Sequence, residues 1–282
     1  MGKKLDTRAA GLDAGLHFIK WLTGAENLHY GLWTGLDVTA GNLRVAQDAY
    51  TEKLFSYLPD GKLRILDIGG GTGETAKKLL ALGHEVQIVV PSPLFAERCQ
   101  KNAPAAQVHE CKFEDFATND RFDLCLFSES YQYVPLPIGL KKALSLLDEG
   151  GTVLIADCFR SEAFEGYGIG GVPGGGHRLT KFRDEVGSLG LKIVAEEEIT
   201  AAVAPSIDLE QGLFNVIGHA MGRVDDEIAA KRPWGHRALH WLLRRIFNER
   251  KRARLMSRLR DKVRTSEAFE KYNHYMIFRL TR

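Results

Sequence analysis

The stretch RILDIGGGTGET, residues 64–75, restricts what this chain can fold into more than any other part of it. Ile65, Leu66 and Ile68, interrupted by Asp67, form a short apolar run that reads as a buried strand. Gly69, Gly70, Gly71 and Gly73 follow and lead into TAKKLLALG, which has helical spacing through Ala76, Leu79 and Leu80. A strand, a tight glycine turn and a helix let a ligand approach the backbone closely, because glycine has no Cβ to obstruct it. The helix start beyond the turn also offers unpaired N–H groups to an electronegative ligand. Spacing alone leaves two other uses open. One is a purely structural turn; the other is a nicotinamide-binding turn in which Ala76 replaces the last glycine of G-x-G-x-x-G.

Composition narrows the class without choosing among these. With 282 residues, 44% hydrophobic and 26% charged, the chain can bury a full core as one large domain or one domain with an appendage. No apolar run approaches the ~20 residues that span a bilayer. The opening MGKKLDTRAAG is basic but has no apolar stretch of a signal peptide, so secretion is not expected. Cys99, Cys111, Cys125 and Cys158 show no C-x-x-C spacing and read as reduced, mostly buried thiols of a cytoplasmic protein. The net charge of +2 hides an asymmetry: residues 231–264 hold thirteen Lys or Arg against two acids, so the remainder is net negative.

Periodicity predicts amphipathic helices at residues 8–24 and 40–57, the second ending at the turn Leu58-Pro59-Asp60-Gly61. Further strands are predicted at EVQIVV (85–90), QVHEC (107–111), within RFDLCLFSESYQYVP (121–135), TVLIADCFR (152–160), LKIVAEEEI (191–199) and HYMIFRL (274–280). KKALSLLDEGG and KFRDEVGSLG read as helices between them. EGYGIGGVPGGGHRLT, residues 165–180, carries seven glycines between Gly166 and Gly176 and reads as a mobile segment. Between the last two predicted strands, residues 200–271 include Leu239, Leu242, Leu243 and Ile246, an i, i+3, i+4, i+7 stripe beside Trp234, Trp241 and a run of arginines.

Two motifs together resemble class I S-adenosylmethionine (SAM) dependent methyltransferases. Asp67, Gly69, Gly71 and Gly73 fill the family's D-x-G-x-G-x-G. Phe122, Asp123, Leu124, Ser128, Glu129, Val134 and Pro135 fill F-D-L-V-x-x-S-E-x-L-x-H-V-P, with Tyr133 where many members have histidine. NLHYGLWTG, residues 27–35, is similar to the H-Y-G-x-W element of the lipid-directed members, a loose group that includes tocopherol, sterol and cyclopropane-fatty-acid enzymes. The likeness covers roughly residues 27–198 and the last strand. It implies an α/β fold: a doubly wound, seven-stranded, mostly parallel Rossmann-like sheet with an N-terminal helical cap and a helical insertion before the last strand. The implied division is 1–58 helical cap, 59–199 SAM-binding core, 200–271 substrate or cap insertion, and 272–282 last core strand.

The resemblance also assigns roles. Gly69, Gly71 and Gly73 would hold the methionine end of SAM, with Asp67 supporting the turn or the amino group. Tyr30 and Trp33 would cover the sulfonium, an electropositive group that a ring face attracts; packing staples are the competing use. The acid that binds the ribose in the family is Val90 here, which leaves Ser92 or backbone for that contact. Lys112 stands where the adenine loop often begins with aspartate, while Phe113 would pack on the ring and Glu114 or Asp115 receive the amino group; a solvated turn is equally open. Ser128 ends the fourth strand, and Glu129 and Tyr131 fall near the transferring methyl group, beyond the carboxyl ends of the strands. A carboxylate there could orient the acceptor or take its proton; ordering the loop is its bland alternative. The glycine-rich segment would act as a lid ending in His177, which otherwise is a surface residue beside the next helix.

The expected activity is in-line transfer of a methyl group from SAM to an apolar small molecule or acyl lipid. Two alternatives stand beside it, a soluble small-molecule methyltransferase without membrane contact and a non-catalytic SAM-binding module. Residues 231–264 suit an anionic membrane surface, which would make the chain cytoplasmic and peripheral on the inner membrane face. Nucleic acid is the disfavoured use of that charge, and the oligomeric state is unassigned. His236 and His240 share an i, i+4 face, but the sequence offers no third ligand, so no metal is expected.

Overall fold

The computed structural model describes residues 7–166, 172–246 and 264–282, together with Glu249, Met256, Arg258 and Leu259. Along β1 (Arg64–Ile68) four successive residues are buried, because the strand lies inside a sheet covered on both faces. Ile65 faces one apolar layer; Leu66 and Ile68 face the other. β1 pairs in parallel with β2 (Glu85–Val90) on one side and β4 (Phe122–Ser128) on the other. β3 (Gln107–Glu110) extends the sheet beyond β2, and β5 (Leu147–Arg160) extends it beyond β4. β7 (Asn273–Thr281) runs antiparallel between β5 and β6 (Lys192–Glu198). The order β3-β2-β1-β4-β5-β7-β6 is the doubly wound, seven-stranded sheet expected from the sequence. Strand order reverses at β1, so a crevice opens at the carboxyl ends of β1 and β4.

α1 (Thr7–Thr23) and α2 (Leu43–Phe55) precede the sheet. α3 (Glu74–Ala81) and α4 (Pro93–Asn102) flank β2, α5 (Leu136–Leu146) joins β4 to β5, and α6 (Leu179–Ser188) precedes β6. Between β6 and β7 stand α7 (Thr200–Val203), α8 (Pro205–Lys231), α9 (Pro233–Ile246) and α10 (Ser266–Tyr272). Tyr50, Leu79, Ala96, Val203, Ile207 and Phe269 bring α2, α3, α4, α7, α8 and α10 onto one sheet face. Leu140, Ala143, Phe182 and Val186 bring α5 and α6 onto the other. Each large apolar side chain buried in these layers contributes about 1.5–3 kcal/mol.

Two boundaries differ from expectation for local reasons. The helix placed at 40–57 begins as a 3-10 turn at Ala40–Asn42 before α2. α5 starts at Leu136, ahead of the predicted KKALSLL run, because Pro137 sits in the first turn, where a missing N–H is harmless. It stops at Leu146 because Leu147 already pairs with Phe122. No helix among the described residues is long and apolar enough to cross a membrane.

Candidate active site

The floor of the crevice is the turn after β1. Gly69, at φ 74°, donates its N–H to the Val89 carbonyl at 2.8 Å, and the Ser130 hydroxyl donates to the Ile68 carbonyl. A Cβ placed on Gly71 would meet no atom of the described residues within 4 Å, so the turn presents bare backbone there. Beneath it Asp67 is 1% exposed, and its Oδ2 has no hydrogen-bond partner among the described residues. Burial pushes its carboxyl up to about 7. A buried carboxylate oxygen without a donor, under a backbone cradle that a side chain would fill, fits the ammonium-bearing methionine end of SAM.

Residues 24–33 strap this floor. Glu26 is buried, and its carboxylate takes Lys20 at 2.8 Å, Arg98 at 2.9 Å and Asn102 at 2.9 Å. Burial alone would raise that carboxyl, but the hydrogen bonds from Lys20 and Asn102 and the charge of Arg98 hold it below its ordinary range. The Thr72 hydroxyl donates to the Glu26 carbonyl at 2.7 Å, which ties the strap to the glycine turn. At its far end Tyr30 donates its backbone N–H to Glu129 Oε1 at 2.9 Å. Gly31 N and Trp33 Nε1 then both donate to Ser206 Oγ of α8, at 3.0 and 2.8 Å.

Glu129 stands just past β4 at φ 54°, the non-glycine residue with positive φ among the described residues. That conformation costs on the order of 1 kcal/mol and marks a position whose surroundings over-determine it. Its N–H is held by the Ala156 carbonyl at 2.8 Å. Besides Tyr30, the Tyr275 hydroxyl donates to Oε1 at 2.9 Å. The Tyr275 and Tyr50 hydroxyls lie 2.7 Å apart, and Tyr50 reaches Ser128 Oγ at 3.3 Å. Burial lifts the Glu129 carboxyl to about 8, against the lowering effect of these hydrogen bonds and with a further push from Asp157. Asp157, raised to about 7 by burial, accepts from Gln132 N and Nε2 and from Cys158 N, and so fixes the turn that follows Glu129. His29 stacks on Tyr50 at 4.6 Å between ring centroids and pairs with the Tyr30 carbonyl; burial takes it down to about 4, so it is neutral. A carboxyl poised near 8 and wired to two tyrosines can hold or accept a proton at the crevice.

Several predicted residues lie elsewhere. Tyr131, expected on the acceptor side, is fully buried, its ring packed against Phe127, Phe182 and His177. The 3-10 turn at Tyr131–Tyr133 points it into the α5–α6 layer instead of the crevice. Trp33, expected over the sulfonium, packs with Leu43 and Ala46 and anchors the strap to Ser206. The Tyr30 ring meets the edges of Phe269 and Tyr275, while its backbone is what reaches Glu129. His177 hydrogen-bonds the Val134 carbonyl at 2.9 Å, beside the loop that follows Glu129. Phe113 is buried edge-on to Phe127, and the Glu114 carbonyl accepts from Lys142. Ser92 stands at the start of α4 without a side-chain capping hydrogen bond among the described residues, and Val90 is buried in the core. Residues 167–171 of the glycine-rich segment lie outside the described residues. Tyr50, Tyr275 and Asp157 are additions that the motifs did not mark; for Tyr275 the signal was its place in the terminal strand.

Residues 65–151 match a family described as a methyltransferase domain. Over 127 residues the chain is 32% identical to the tRNA 5-carboxymethoxyuridine methyltransferase of Escherichia coli (strain K12), covering 41% of this chain and 48% of that protein. The chain thus spans about half the length of the curated relatives it matches. The structure of the cyclopropane synthase MmaA2 from Mycobacterium tuberculosis matches with a TM-score of 0.67 and 16% identity, covering 96% of this chain and 95% of that one. Geranyl diphosphate C-methyltransferase from Streptomyces coelicolor A3(2), solved with Mg2+, geranyl-S-thiolodiphosphate and S-adenosyl-L-homocysteine, matches with a TM-score of 0.63 and 13% identity, covering 94% and 91%. At such identities the structural likeness speaks to the fold.

Proposed function

From a chain that has a methyltransferase domain at residues 65–151 and the fold of class I SAM-dependent methyltransferases, we propose methyl transfer from SAM to an apolar small molecule or acyl lipid. The observation that carries the reading is Glu129: a carboxyl raised to about 8, held in the left-handed conformation one strand away from a glycine turn over Asp67, whose Oδ2 has no partner among the described residues. SAM, when bound, supplies a methyl group on a positively charged sulfur that departs as a neutral thioether. Asp67 and the backbone of Gly69, Gly71 and Gly73 would hold its methionine end. Ser92 and the end of β2 would meet the ribose, since Val90 has no polar group; Phe113 and Glu114 would border adenine. Glu129, steadied by Tyr275 and Tyr30, would orient the acceptor and take its proton, with His177 and Ser128 at the rim.

The apolar acceptor draws support from the insertion. Val216, Met221 and Val224 of α8 and Trp234, Trp241 and Leu242 of α9 are exposed, and Arg245 lies over the Trp241 ring. Apolar and tryptophan side chains beside arginines suit anionic lipid headgroups, and so a cytoplasmic protein peripheral on the inner membrane face. A nucleic-acid acceptor is the second reading, favoured by the alignment with a tRNA methyltransferase and by the basic stretch 231–264.

Calorimetric titration with SAM, S-adenosylhomocysteine and NAD is the first test; absence of heat with the first two sinks the proposal. Incubation with labelled SAM and either a lipid extract, a soluble metabolite extract or total RNA then reads the acceptor class. Label in the soluble or RNA fraction alone overturns the lipid reading. Salt-sensitive flotation with anionic vesicles is expected for a peripheral enzyme and absent for a soluble one. Glu129→Gln is expected to lower transfer by at least ~100-fold while leaving S-adenosylhomocysteine binding within a few-fold.

A further inference from the structure

α9 is joined to α8 by a tight reversal, in which Arg232 N bonds the Ile228 carbonyl at 2.8 Å and His236 N bonds the Arg232 carbonyl at 3.0 Å. The described apolar side chains at this end of α9 do not pack inward: Trp234 is 81% exposed and Trp241 59%. The junction holds a polar cluster instead. His236 and His240, one helical turn apart, place their rings 4.3 Å from each other. Both Nε2 atoms converge on the same oxygen of Asp225 in α8, at 3.1 and 2.9 Å. We propose that Asp225, His236 and His240 bind one divalent transition-metal ion, zinc foremost, which clasps α9 to α8.

The geometry is close to what such an ion needs. Zinc bonds to imidazole nitrogen and carboxylate oxygen are ~2.0–2.1 Å, so the ligand atoms of a tetrahedral site stand about 3.3 Å apart. The two nitrogen-to-oxygen separations here fall within a few tenths of an ångström of that figure, and all three donor atoms lie within 4.8 Å of one another. Two imidazoles and one carboxylate suit zinc and its first-row neighbours, whereas magnesium and calcium call for oxygen-rich sets. Each histidine would coordinate as the neutral ring through Nε2 with its proton on Nδ1, and Asp225 as carboxylate. Water would complete the fourth position from the solvent side, since all three side chains are partly exposed. Coordination would replace the two hydrogen bonds now made to Asp225, with little movement of either helix. It would also give the hairpin a fixed angle where described apolar packing is thin, which is the usual task of a structural metal in a small element.

The test uses the untagged full chain, stripped with EDTA and dialysed, and titrated with zinc chloride in a calorimeter. One equivalent is expected to bind, with a rise in unfolding temperature and no response to magnesium chloride. His236→Ala, His240→Ala and Asp225→Asn should each weaken zinc at least tenfold, with S-adenosylhomocysteine binding and circular dichroism as controls for folding. Zinc binding undiminished in the His236→Ala/His240→Ala double variant, or none in the parent chain, overturns the assignment. Cobalt(II) gives a readout that needs no variant. Visible d–d bands without a thiolate charge-transfer band are expected, whereas a thiolate band would move the ion to the cysteines and refute the site.

Discussion

Asp67 makes the sharpest prediction because its burial has a sign and a size. Lifting a carboxyl from 3.8 to about 7 means the charged form is disfavoured by ~4 kcal/mol in the folded chain. A folded pKa above the unfolded one makes a contribution to stability that is full below pH 3.8 and is lost as pH rises through 7. A bound ammonium reverses that preference, because it favours the ionised carboxylate. With a midpoint near 7, the ionised fraction rises from about one tenth at pH 6 to about nine tenths at pH 8. S-adenosylhomocysteine, whose α-ammonium stays charged across most of that range, should therefore bind about tenfold more tightly at pH 8 than at pH 6. Glu129 and Asp157 titrate in the same window, so the parent slope alone does not single out Asp67. Asp67→Asn does: it should bind less tightly at pH 8 and lose the slope. Calorimetry at pH 6, 7 and 8 on both proteins decides the matter. A parent affinity that is flat with pH, or an Asp67→Asn variant that keeps the tenfold slope, would refute the pairing of Asp67 with the ligand ammonium.

Gly71→Ala separates cradle from fold. At φ 54° and with no atom of the described residues within 4 Å of the new Cβ, the cost to stability should be about 1 kcal/mol, while S-adenosylhomocysteine binding falls at least ~10-fold; chemical denaturation and calorimetry read the two. Tyr275→Phe removes a donor from Glu129 and should raise that carboxyl further. Beyond the pH-independent loss of the bond to Tyr50, its destabilisation should therefore grow by about 1.5–3 kcal/mol as pH rises through 8, as urea unfolding at pH 6 and 9 would show. Trp33→Phe should lower stability by about 1–2 kcal/mol through the lost Ser206 hydrogen bond yet leave cofactor affinity within twofold; a large loss of affinity would put the indole back over the sulfonium.

What the sequence made legible was local. The apolar run through Ile68, the glycines after it and the helix beyond are contiguous, so periodicity and turn chemistry suffice to place them. Glu129 was legible for the same reason, as the end of a strand with a marked pattern. Its partners were not. Tyr50 and Tyr275 touch across 225 positions of chain, and only the antiparallel register of β7 against β5 turns Tyr275 toward the crevice. Tyr131 and Trp33 were misplaced because an aromatic residue near a site carries no sign of which way its ring faces; a 3-10 turn decided one and a serine of α8 the other. Asp225 joined the two histidines only through the sharp reversal between α8 and α9, a feature with no motif.

The strap over the glycine turn would set a schedule for traffic as well as a shape. Its hold is made at both ends, by the buried Glu26 with Lys20, Arg98 and Asn102, and by Tyr30 on Glu129. A cofactor bound as proposed, beneath the strap, would exchange only when those ties part. Entry and departure would then share one gate, and weakening Glu26 should quicken both. Residence time under such a latch would be set from the amino-terminal side of the chain, and turnover would be paced there.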